Sequence, residues 1–227
     1  MNYDLHIHSG LSPCAEDEMS PNNIIHMAKL HRLDLISVCD HNSTLQQELI
    51  AQIAHQHHIN YWYGIEINTK EDVHLLAYFN KLENIKTLQT FIDKHLLVIK
   101  NKPEIFGHQF VYDQNDRRIL EVDTLLINAL DLSLKECITE VHANNGKAVL
   151  AHIYHRENGV IGQLGFIPEN LYIDGVEVTQ NEDIIRFREE YPQYLNLPVF
   201  MNSDAHRLTD MIKDYHKLPC HLDWFKL

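Results

Sequence analysis

The sequence has few basic residues for its length, and this shortage limits its partners. Lys and Arg together number 19 in 227 residues, whereas Asp and Glu number 32, giving a formal net charge of −13 at pH 7. A chain this acidic is not expected to coat nucleic acid through a broad basic face. We expect no extended nucleic acid as a partner. A pocket in which metal ions supply the positive charge remains compatible with a small phosphorylated substrate.

Long apolar runs are also absent. No run approaches the roughly 18 residues of a membrane-spanning helix. The beginning of the sequence lacks both the basic region and the apolar region of a secretory signal. The sequence therefore predicts a cytoplasmic protein without a membrane partner, and it leaves the oligomeric state open.

Cysteine is scarce and scattered. The four cysteines, Cys14, Cys39, Cys137 and Cys220, form no C-x-x-C pair. This spacing excludes a zinc ribbon and a dithiol redox motif, and it predicts free thiols. A G-x-S-x-G nucleophile elbow and a Walker A loop are absent as well, so the chain offers no standard nucleophile or phosphate-binding loop.

Histidine, by contrast, is abundant. The chain contains 17 histidines, where an even share among twenty residue types would be about 11. Histidine is the commonest metal ligand and the usual acid or base near neutral pH. The positions of these histidines in the chain therefore become the main question.

Seven short apolar runs, rich in Val, Ile, Leu and Tyr, predict seven strands. They are Tyr3–His8, Asp34–Asp40, Tyr61–Glu66, Val73–Phe79, Ala148–His152, Gly175–Thr179 and Pro198–Asp204. Near-continuous apolar strands are typical of a parallel sheet covered on both faces by helices.

Helical patterns fill several of the gaps between these strands. Helices are predicted from Ser20-Pro21, over Ser43–His55, over Leu82–Ile99 and within Ile119–Asn144. The segment Lys102–Arg118 is expected to be irregular. Alternating strands and helices predict an α/β fold, a closed or nearly closed barrel that forms a single domain over residues 1–227.

Residues of metal-ligand type lie at or near the ends of six of the seven predicted strands. They are His6 and His8, Asp40 and His41, Glu66, His74, His152, and Asp204 and His206. Residues i and i+2 of a strand point to the same face, so His6 and His8 can reach one ion. The carboxyl ends of parallel strands gather at one edge, where such folds keep their active sites. His74 does not fit this phase, because it begins its strand.

Each of these residues has an ordinary structural interpretation when it is taken alone. An H-x-H pair arises by chance in a histidine-rich chain, a strand-end Asp caps helices, and a lone buried histidine is usually a satisfied core residue. These interpretations must hold for all of the positions at once. Buried polar groups are costly unless they are paired or bound to metal, so together the residues favour a metal site.

The same residues resemble the PHP family, the polymerase and histidinol phosphatase superfamily of metal-dependent phosphoesterases. The motifs are Asp4-Leu-His-Ile-His8, Val38-Cys-Asp-His41, Gly64-Ile-Glu66, Val73-His74, Ala151-His152 and Ser203-Asp-Ala-His206. They run in the family's order from residue 3 to residue 206. The resemblance implies a distorted (β/α)7 barrel, similar to a TIM barrel, with the metal site at the C-terminal ends of the strands.

The resemblance also implies two or three divalent transition-metal ions. His6, His8, Glu66 and Asp204 match the ligands of the first ion. Glu66 then bridges to a second ion, which His74 and His152 also hold. His41 and His206 match ligands of a third ion. This mixture of imidazoles and carboxylates suits zinc, manganese or iron, whereas calcium and magnesium prefer oxygen ligands alone.

One position departs from the family pattern. The first motif usually continues with Asp or His five residues after its second histidine, and this chain has Pro13 there. A proline side chain cannot ligate a metal. Cys14, Glu16, Asp17 and Glu18 follow and are possible substitutes, so occupancy of the third site stays open.

The leading functional hypothesis is a metal-dependent phosphoric ester hydrolase. It would cleave a nucleotide or a small phosphomonoester by means of a metal-bridging hydroxide. His41, Glu66, Asp204 and His206 are its candidate catalytic residues. Arg156, Arg207 and His108 are candidates for binding the substrate. For both arginines an ordinary surface position is an equally good interpretation.

Three alternatives stay open. The first is an enzyme specific for histidinol phosphate, as some members of the family are. The second is another barrel metal hydrolase of the amidohydrolase type, although such enzymes commonly bridge their metals with a carboxylated lysine and no strand end here carries Lys. The third alternative is a module that binds metals without catalysis.

Overall fold

The computed structural model describes residues 1–211, 216–218, 222 and 224–225. Cys220 lies outside the described residues. Within them the chain forms ten strands: β1 (Tyr3–Ile7), β2 (Leu35–Val38), β3 (Asn60–Tyr61), β4 (Tyr63–Asn68), β5 (His74–Phe79), β6 (Phe110–Tyr112), β7 (Arg118–Glu121), β8 (Lys147–Leu150), β9 (Gly175–Glu177) and β10 (Val199–Phe200). Each of the seven predicted strands is represented, and the third is divided by Trp62 into β3 and β4.

Seven helices separate the strands within the same part of the chain: α1 (Pro21–Leu30), α2 (Gln47–Gln56), α3 (Leu82–His95), α4 (Pro103–Phe106), α5 (Leu134–Ala143), α6 (Val160–Leu164) and α7 (Asn181–Glu190). The predicted start of α1 is confirmed, with Ser20 at the N-cap and Pro21 at the first helical position. The helix expected over Ser43–His55 begins four residues later. The helix expected over Leu82–Ile99 ends at His95.

Three sheets arise from these strands. β1, β2 and β3 form a parallel sheet, and β10, β9, β8, β5 and β4 form a second sheet in that order. β6 and β7 form an antiparallel hairpin. This hairpin lies partly in the segment Lys102–Arg118 that was expected to be irregular. It is joined to the first loop of the chain by a hydrogen bond from Phe110 N to Gly10 O of 2.8 Å.

The expectation of a wholly parallel sheet is wrong at β5. This strand runs antiparallel to both of its neighbours, β4 and β8. Because β5 is reversed, its first residue lies at the edge where the parallel strands end. The reversal explains why His74 begins its strand and still reaches the same edge as the other ligand-type residues.

The structure shows a mixed α/β fold, in agreement with the expected fold class, and the hydrogen-bonded ladders of the described residues do not by themselves form a closed sheet. Two isolated parallel bridges connect the first two sheets, and each joins a residue within a strand of one sheet to a residue beyond a strand end of the other. Ile7 bridges to Ala205, and His41 bridges to Glu66. Both bridges lie at the edge that carries the ligand-type residues.

Apolar side chains fill both sides of the second sheet. β4, β5 and β8 are buried almost throughout, as continuous apolar strands predict. Ile85, Leu88 and Ile92 of α3 pack with Ile138 and Val141 of α5 in the largest apolar cluster. Among the described residues, no helix has the length and apolar character needed to cross a membrane.

Candidate metal centre

Six loops and strand ends bring the ligand-type residues to one place. His6 lies within β1 and His8 directly after Ile7, while His152 and Asp204 follow β8 and β10. His152 and Asp204 both have positive φ angles, 26° and 50°. Non-glycine residues seldom adopt this conformation, which costs roughly 1–3 kcal/mol at each position. Here it turns the chain sharply after the strand, at the point where each side chain meets the cluster.

Glu66 is the hub of the cluster. The structure buries it almost completely in the middle of β4. Its Oε1 lies 3.3 Å from His6 Nε2, 2.9 Å from His74 Nδ1 and 3.3 Å from His152 Nε2. Its Oε2 lies 3.4 Å from His8 Nε2 and 3.1 Å from His41 Nδ1. The two carboxylate oxygens therefore face two different sets of imidazoles.

His6, His8 and Asp204 form the side of the cluster nearest β1. The Nε2 atoms of His6 and His8 lie 3.2 Å apart, and Asp204 Oδ1 lies 3.4 Å from each of them. Two nitrogens bound to one tetrahedral zinc ion, each at about 2.0–2.1 Å, are roughly 3.3 Å apart. The spacing of these three side chains is therefore that of ligands sharing one ion.

Hydrogen bonds fix the ring protons of His6 and His8 away from the cluster. His6 Nδ1 donates to Glu177 Oε2 at 3.0 Å. Ser12 Oγ gives its proton to Asp40 Oδ1 at 2.7 Å, so it accepts from His8 Nδ1 at 3.0 Å. In the neutral rings each Nε2 then carries the lone pair, and both lone pairs face the cluster.

Glu177 is a functional residue that the sequence reasoning missed. It is 1% exposed, accepts a hydrogen bond from the His152 backbone N–H at 2.9 Å and one from Asn202 Nδ2 at 2.6 Å, and orients His6. Its signal was a glutamate inside the apolar run Gly175–Thr179, where a buried carboxylate needs partners. Asp40 was expected beside the ligands, and the structure places it behind Ser9 and Ser12, where it orients His8 through Ser12.

Several buried atoms in the cluster lack a hydrogen-bond partner. Among the described residues these include Glu66 Oε1, His41 Nδ1 and His74 Nδ1. The imidazole nitrogens lie close to Glu66 oxygens but do not meet them with hydrogen-bond geometry. Leaving such groups unpaired is costly, whereas an ion between them would satisfy all of them. The residues present therefore fit divalent metal ions.

The electrostatics of the cluster favour a positive charge at its centre. Burial alone would lower the pKa of His6, but Glu177, Glu66 and Asp204 outweigh it and raise that pKa well above its usual value. The pKa of His8 is raised to about 9 against the same effect of burial, by Asp204 and Glu66. Burial would raise the pKa of Glu66, but His74, His6 and His41 hold it well below its usual range.

The pKa values of His41 and His206 shift in the opposite direction. Burial lowers the pKa of His41 well below its usual value. Burial, together with His8, lowers the pKa of His206 to about 4. Both rings are therefore neutral at pH 7 and keep a lone pair for a metal ion. His206 Nδ1 donates to the backbone oxygen of Asp204 at 2.8 Å, which leaves its lone pair on Nε2.

A cavity of about 390 Å³ opens above the cluster. It is lined by His41, Glu66, His74, His152, Asp204 and His206, and also by Cys14, Ile127, His155, Arg156, Glu157 and Asn158. Arg156 Nη2 lies 3.4 Å from Asp204 Oδ2 at its mouth. The structure does not place the other two substrate-binding candidates in this lining. Arg207 pairs with Glu16, and His108 pairs with Glu121 and stacks on Phe110.

The sequence left open whether Cys14 lies among the potential metal ligands. Its thiol sulphur and one ring nitrogen from each of three histidines all lie within 4.8 Å of one another. The complete set is His8, Cys14, His41 and His206. The Pro13 side chain does not belong to this set, whereas the side chain of the next residue, Cys14, does.

Comparisons with known proteins agree with this geometry at the level of the fold. No protein-family model and no curated protein sequence matches the chain. The lesion-specific endonuclease PfuEndoQ from Pyrococcus furiosus aligns with a TM-score of 0.66 at 17% identity, over 91% of this chain and 48% of its own. An amidohydrolase from Chromobacterium violaceum aligns with a TM-score of 0.65 at 16% identity, over 97% of this chain and 93% of its own.

A third structure carries the family resemblance directly. A two-domain protein from Bacteroides vulgatus, containing a predicted PHP-like metal-dependent phosphoesterase, aligns with a TM-score of 0.53 at 17% identity, over 92% of this chain and 53% of its own. The resemblance to PHP structures is therefore confirmed for the fold. The chain spans about half the length of PfuEndoQ and of this two-domain protein.

The expectation that no extended nucleic acid is bound is wrong for this fold. Endonuclease Q has a structure in complex with a 27-mer duplex that carries an abasic lesion at the active site. It aligns with a TM-score of 0.59 at 18% identity, over 91% of this chain and 49% of its own. A site of this fold thus admits duplex DNA, and net charge alone was not a sufficient argument against it.

Proposed function

We propose that the chain is a metal-dependent hydrolase of phosphate esters. The observation that carries the proposal is the position of Glu66, whose two carboxylate oxygens lie 2.9–3.4 Å from ring nitrogens of five histidines, His6, His8, His41, His74 and His152. In this proposal His6, His8, Glu66 and Asp204 hold one ion, and Glu66, His74 and His152 hold a second. His41 lies beside Glu66 Oε2, next to both of these proposed ion positions.

The two isolated bridges support the finer description of the fold. They join the first two sheets at the Ile7–Ala205 and His41–Glu66 contacts, next to the cluster. A distorted seven-stranded barrel, as the resemblance implies, would close at these two points. Closure there would hold the strand ends of both sheets around the same ions.

Paired divalent ions in this centre would activate a water molecule and withdraw electron density from the phosphoryl oxygens. The protein's own residues would hold the ions and orient the ligand side chains. Glu177 and the Ser12–Asp40 pair keep the His6 and His8 rings in one tautomer, with Nε2 towards the centre. His41 and His206 have lowered pKa values and are neutral at pH 7, so each keeps one lone pair with which it can hold an ion and neither serves as a cationic acid.

Arg156 is the proposed phosphate-binding residue. Its guanidinium lies at the mouth of the cavity beside Asp204, although its side chain is 54% exposed. A planar guanidinium binds two phosphate oxygens at once, which positions a phosphate group over the ions. Asn158 lines the same wall. The volume of about 390 Å³ suits a small phosphorylated substrate such as a nucleotide or a phosphomonoester.

The amidohydrolase alternative has a specific observation in its favour, the near full-length similarity to the Chromobacterium violaceum protein. Against it, no lysine lines the cavity within the described residues, and the bridging position is held by Glu66. The histidinol phosphatase alternative differs only in its substrate. The alternative of metal binding without catalysis predicts bound ions but no turnover.

The test combines metal analysis with a substrate panel. Protein purified without chelator is analysed for metals and assayed with a generic phosphomonoester, a phosphodiester, histidinol phosphate, an N-acyl amide and an abasic DNA duplex. We expect at least two transition-metal ions per chain and phosphoester hydrolysis. His8→Ala should lose both, whereas His55→Ala, on the exposed face of α2, should retain both. Hydrolysis of the amide alone, or bound ions with no hydrolysis across the panel, would overturn the proposal.

A further inference from the structure

The outer side of the centre is a second group of potential ligands, distinct in chemistry from the first. It consists of His8, Cys14, His41 and His206, and one ligand atom from each lies within 4.8 Å of the others. The His8 and His206 rings stack with their centroids 4.2 Å apart, and those of His8 and His41 are 4.6 Å apart. No carboxylate belongs to this group. Its four donors are three imidazoles and one thiol.

The backbone holds Cys14 in this position. Glu16 N donates to His206 O at 2.9 Å, so the loop that carries Cys14 is tied directly to the loop that carries His206. Gly107 packs on the other side of the same loop. A Cβ atom at Gly107 would collide with Pro13 O, and the φ of +98° at Gly107 also requires glycine. The first loop is thus clamped between residue 107 and residue 206.

Two of the imidazoles in the group have a lone pair available. His206 donates through Nδ1 to its own chain, which leaves Nε2 free. His41 is almost fully buried, and its Nδ1, which lies 3.1 Å from Glu66 Oε2, has no hydrogen-bond partner among the described residues. An unpartnered buried nitrogen beside a free imidazole and a thiol is the arrangement that a metal ion satisfies. The unpartnered nitrogen of His41 is an observation separate from the presence of Cys14.

We propose that Cys14 is a thiolate ligand, which together with His41 and His206 binds a divalent ion on the outer side of the centre. The inference rests on the proposed function for the inner ions, and it goes beyond it by assigning a sulphur ligand. The thiol releases its proton to solvent as the metal–sulphur bond forms. A thiolate favours zinc, cobalt or iron over manganese and magnesium. Cys14 would therefore make this position more selective for soft metals than an Asp at the same position.

Cobalt(II) spectroscopy tests the sulphur ligand without depending on activity. Metal-free protein is titrated with Co²⁺, and the absorbance is followed in the near ultraviolet, where thiolate-to-cobalt charge transfer absorbs. We expect the band in the native protein and in Cys137→Ala, since Cys137 is a buried residue of the α5 core. Cys14→His, which replaces sulphur by nitrogen, should bind the same amount of cobalt without the band.

Two outcomes overturn the inference: cobalt bound to the native protein without the band, or the band persisting in Cys14→His. Its failure is distinguishable from failure of the proposed function. Phosphoester hydrolysis by a native protein that lacks the band overturns the thiolate ligand alone. The band without any hydrolysis overturns the phosphoesterase proposal alone. Failure to bind cobalt at all overturns both.

Thiol protection gives a second readout on the unmodified sequence. Cys14 is exposed, so iodoacetamide should alkylate it in protein stripped of metal, as measured by peptide mass spectrometry. Loading with zinc should slow alkylation at Cys14 and leave the buried Cys137 unaffected. Equal alkylation of Cys14 in the metal-free and zinc-loaded proteins contradicts the proposal.

Discussion

The inner and outer sides of the centre are built in different ways. The inner side (His6, His8, Glu66, His74, His152 and Asp204) is almost wholly buried. His6 donates to the Glu177 carboxylate itself, and His8 donates to Ser12, which is held by the Asp40 carboxylate. The outer side shares His8 with the inner side and adds Cys14, which is exposed, His206, which is half-buried, and His41, which is buried. There His206 donates to the backbone only two residues away, and His41 Nδ1 has no partner among the described residues.

This difference indicates how each side should respond to change. Partners in a second layer fix the orientation and tautomer of a ligand, and losing them typically costs about 10- to 100-fold in metal affinity or activity. The inner side should therefore bind ions in a preformed geometry. The outer side has weaker support and should bind its ion less tightly, with its ligands adjusting as the ion enters.

The largest effect is expected at Glu66. Glu66→Gln keeps the shape but removes the negative charge that both sets of imidazoles face. Because losing an orienting partner costs about 10- to 100-fold, losing the shared ligand should reduce metal-dependent hydrolysis by more than about 100-fold. Metal content per chain and kcat/KM are the measurements. A variant with native metal content and native kcat/KM would contradict the role assigned to Glu66.

Glu177→Gln should produce the next largest effect. The amide still fits the site, but its NH2 group can replace an oxygen opposite His6 Nδ1 and disturb the tautomer. We expect about a 10- to 100-fold loss of affinity for the inner ions, measured by competition with a chelating dye. Glu189→Gln, on the exposed face of α7, is the matched control. Equal affinities in the two variants would show that the inner side is not supported by Glu177.

Arg156→Ala should weaken substrate binding and leave metal binding unchanged. Loss of one charge-assisted hydrogen bond to phosphate at an exposed position should raise KM by about tenfold. The number of bound ions should stay unchanged. A fall in metal content, or a native KM, would indicate that Arg156 serves only its contact with Asp204.

The smallest effect is expected in the pH dependence of stability. In the metal-free protein the pKa of His8 is raised to about 9, and that of His6 is also raised. The raised pKa values stabilise the folded protein. This stabilisation is fully present below the unfolded-state histidine pKa of about 6.5, and it is lost as the pH rises through the pKa of the folded state. The melting temperature of the metal-free protein should therefore fall between pH 6.5 and pH 9.

The metal-loaded protein should show the opposite slope. Metal ions bind unprotonated imidazoles, so loading becomes more favourable as the pH rises over the same interval. Melting curves with and without saturating zinc provide the measurement, and the gap between the two melting temperatures should widen with pH. Parallel curves would mean that the inner histidines do not exchange protons for metal.

Much of the inner side could be predicted from the sequence, because its ligands follow apolar strands. The H-x-H spacing placed His6 and His8 on one face. Glu66 was expected at the end of a strand, and the structure buries it within β4. His74 did not fit, because the reversal of β5 depends on tertiary pairing with β4 and β8. Glu177 was missed because the predicted strand Gly175–Thr179 placed it inside the strand, whereas β9 ends at Glu177.

The outer side could be predicted less well. The approach of Cys14 to His206 depends on backbone hydrogen bonds between two loops and on the packing of Gly107 against Pro13. These contacts join residues about 100 and 190 positions apart, and neither spacing nor periodicity encodes them. The substrate-binding candidates show the same limit, since proximity in sequence to His206 did not bring Arg207 into the cavity.

The central claim is that Glu66 stands between two ions on the inner side. Anomalous X-ray diffraction from crystals of the zinc-loaded protein tests it most directly. The account predicts two strong anomalous peaks flanking the Glu66 carboxylate, one beside His6, His8 and Asp204 and the other beside His74 and His152. A single peak away from Glu66, or none in crystals grown with zinc, would contradict it.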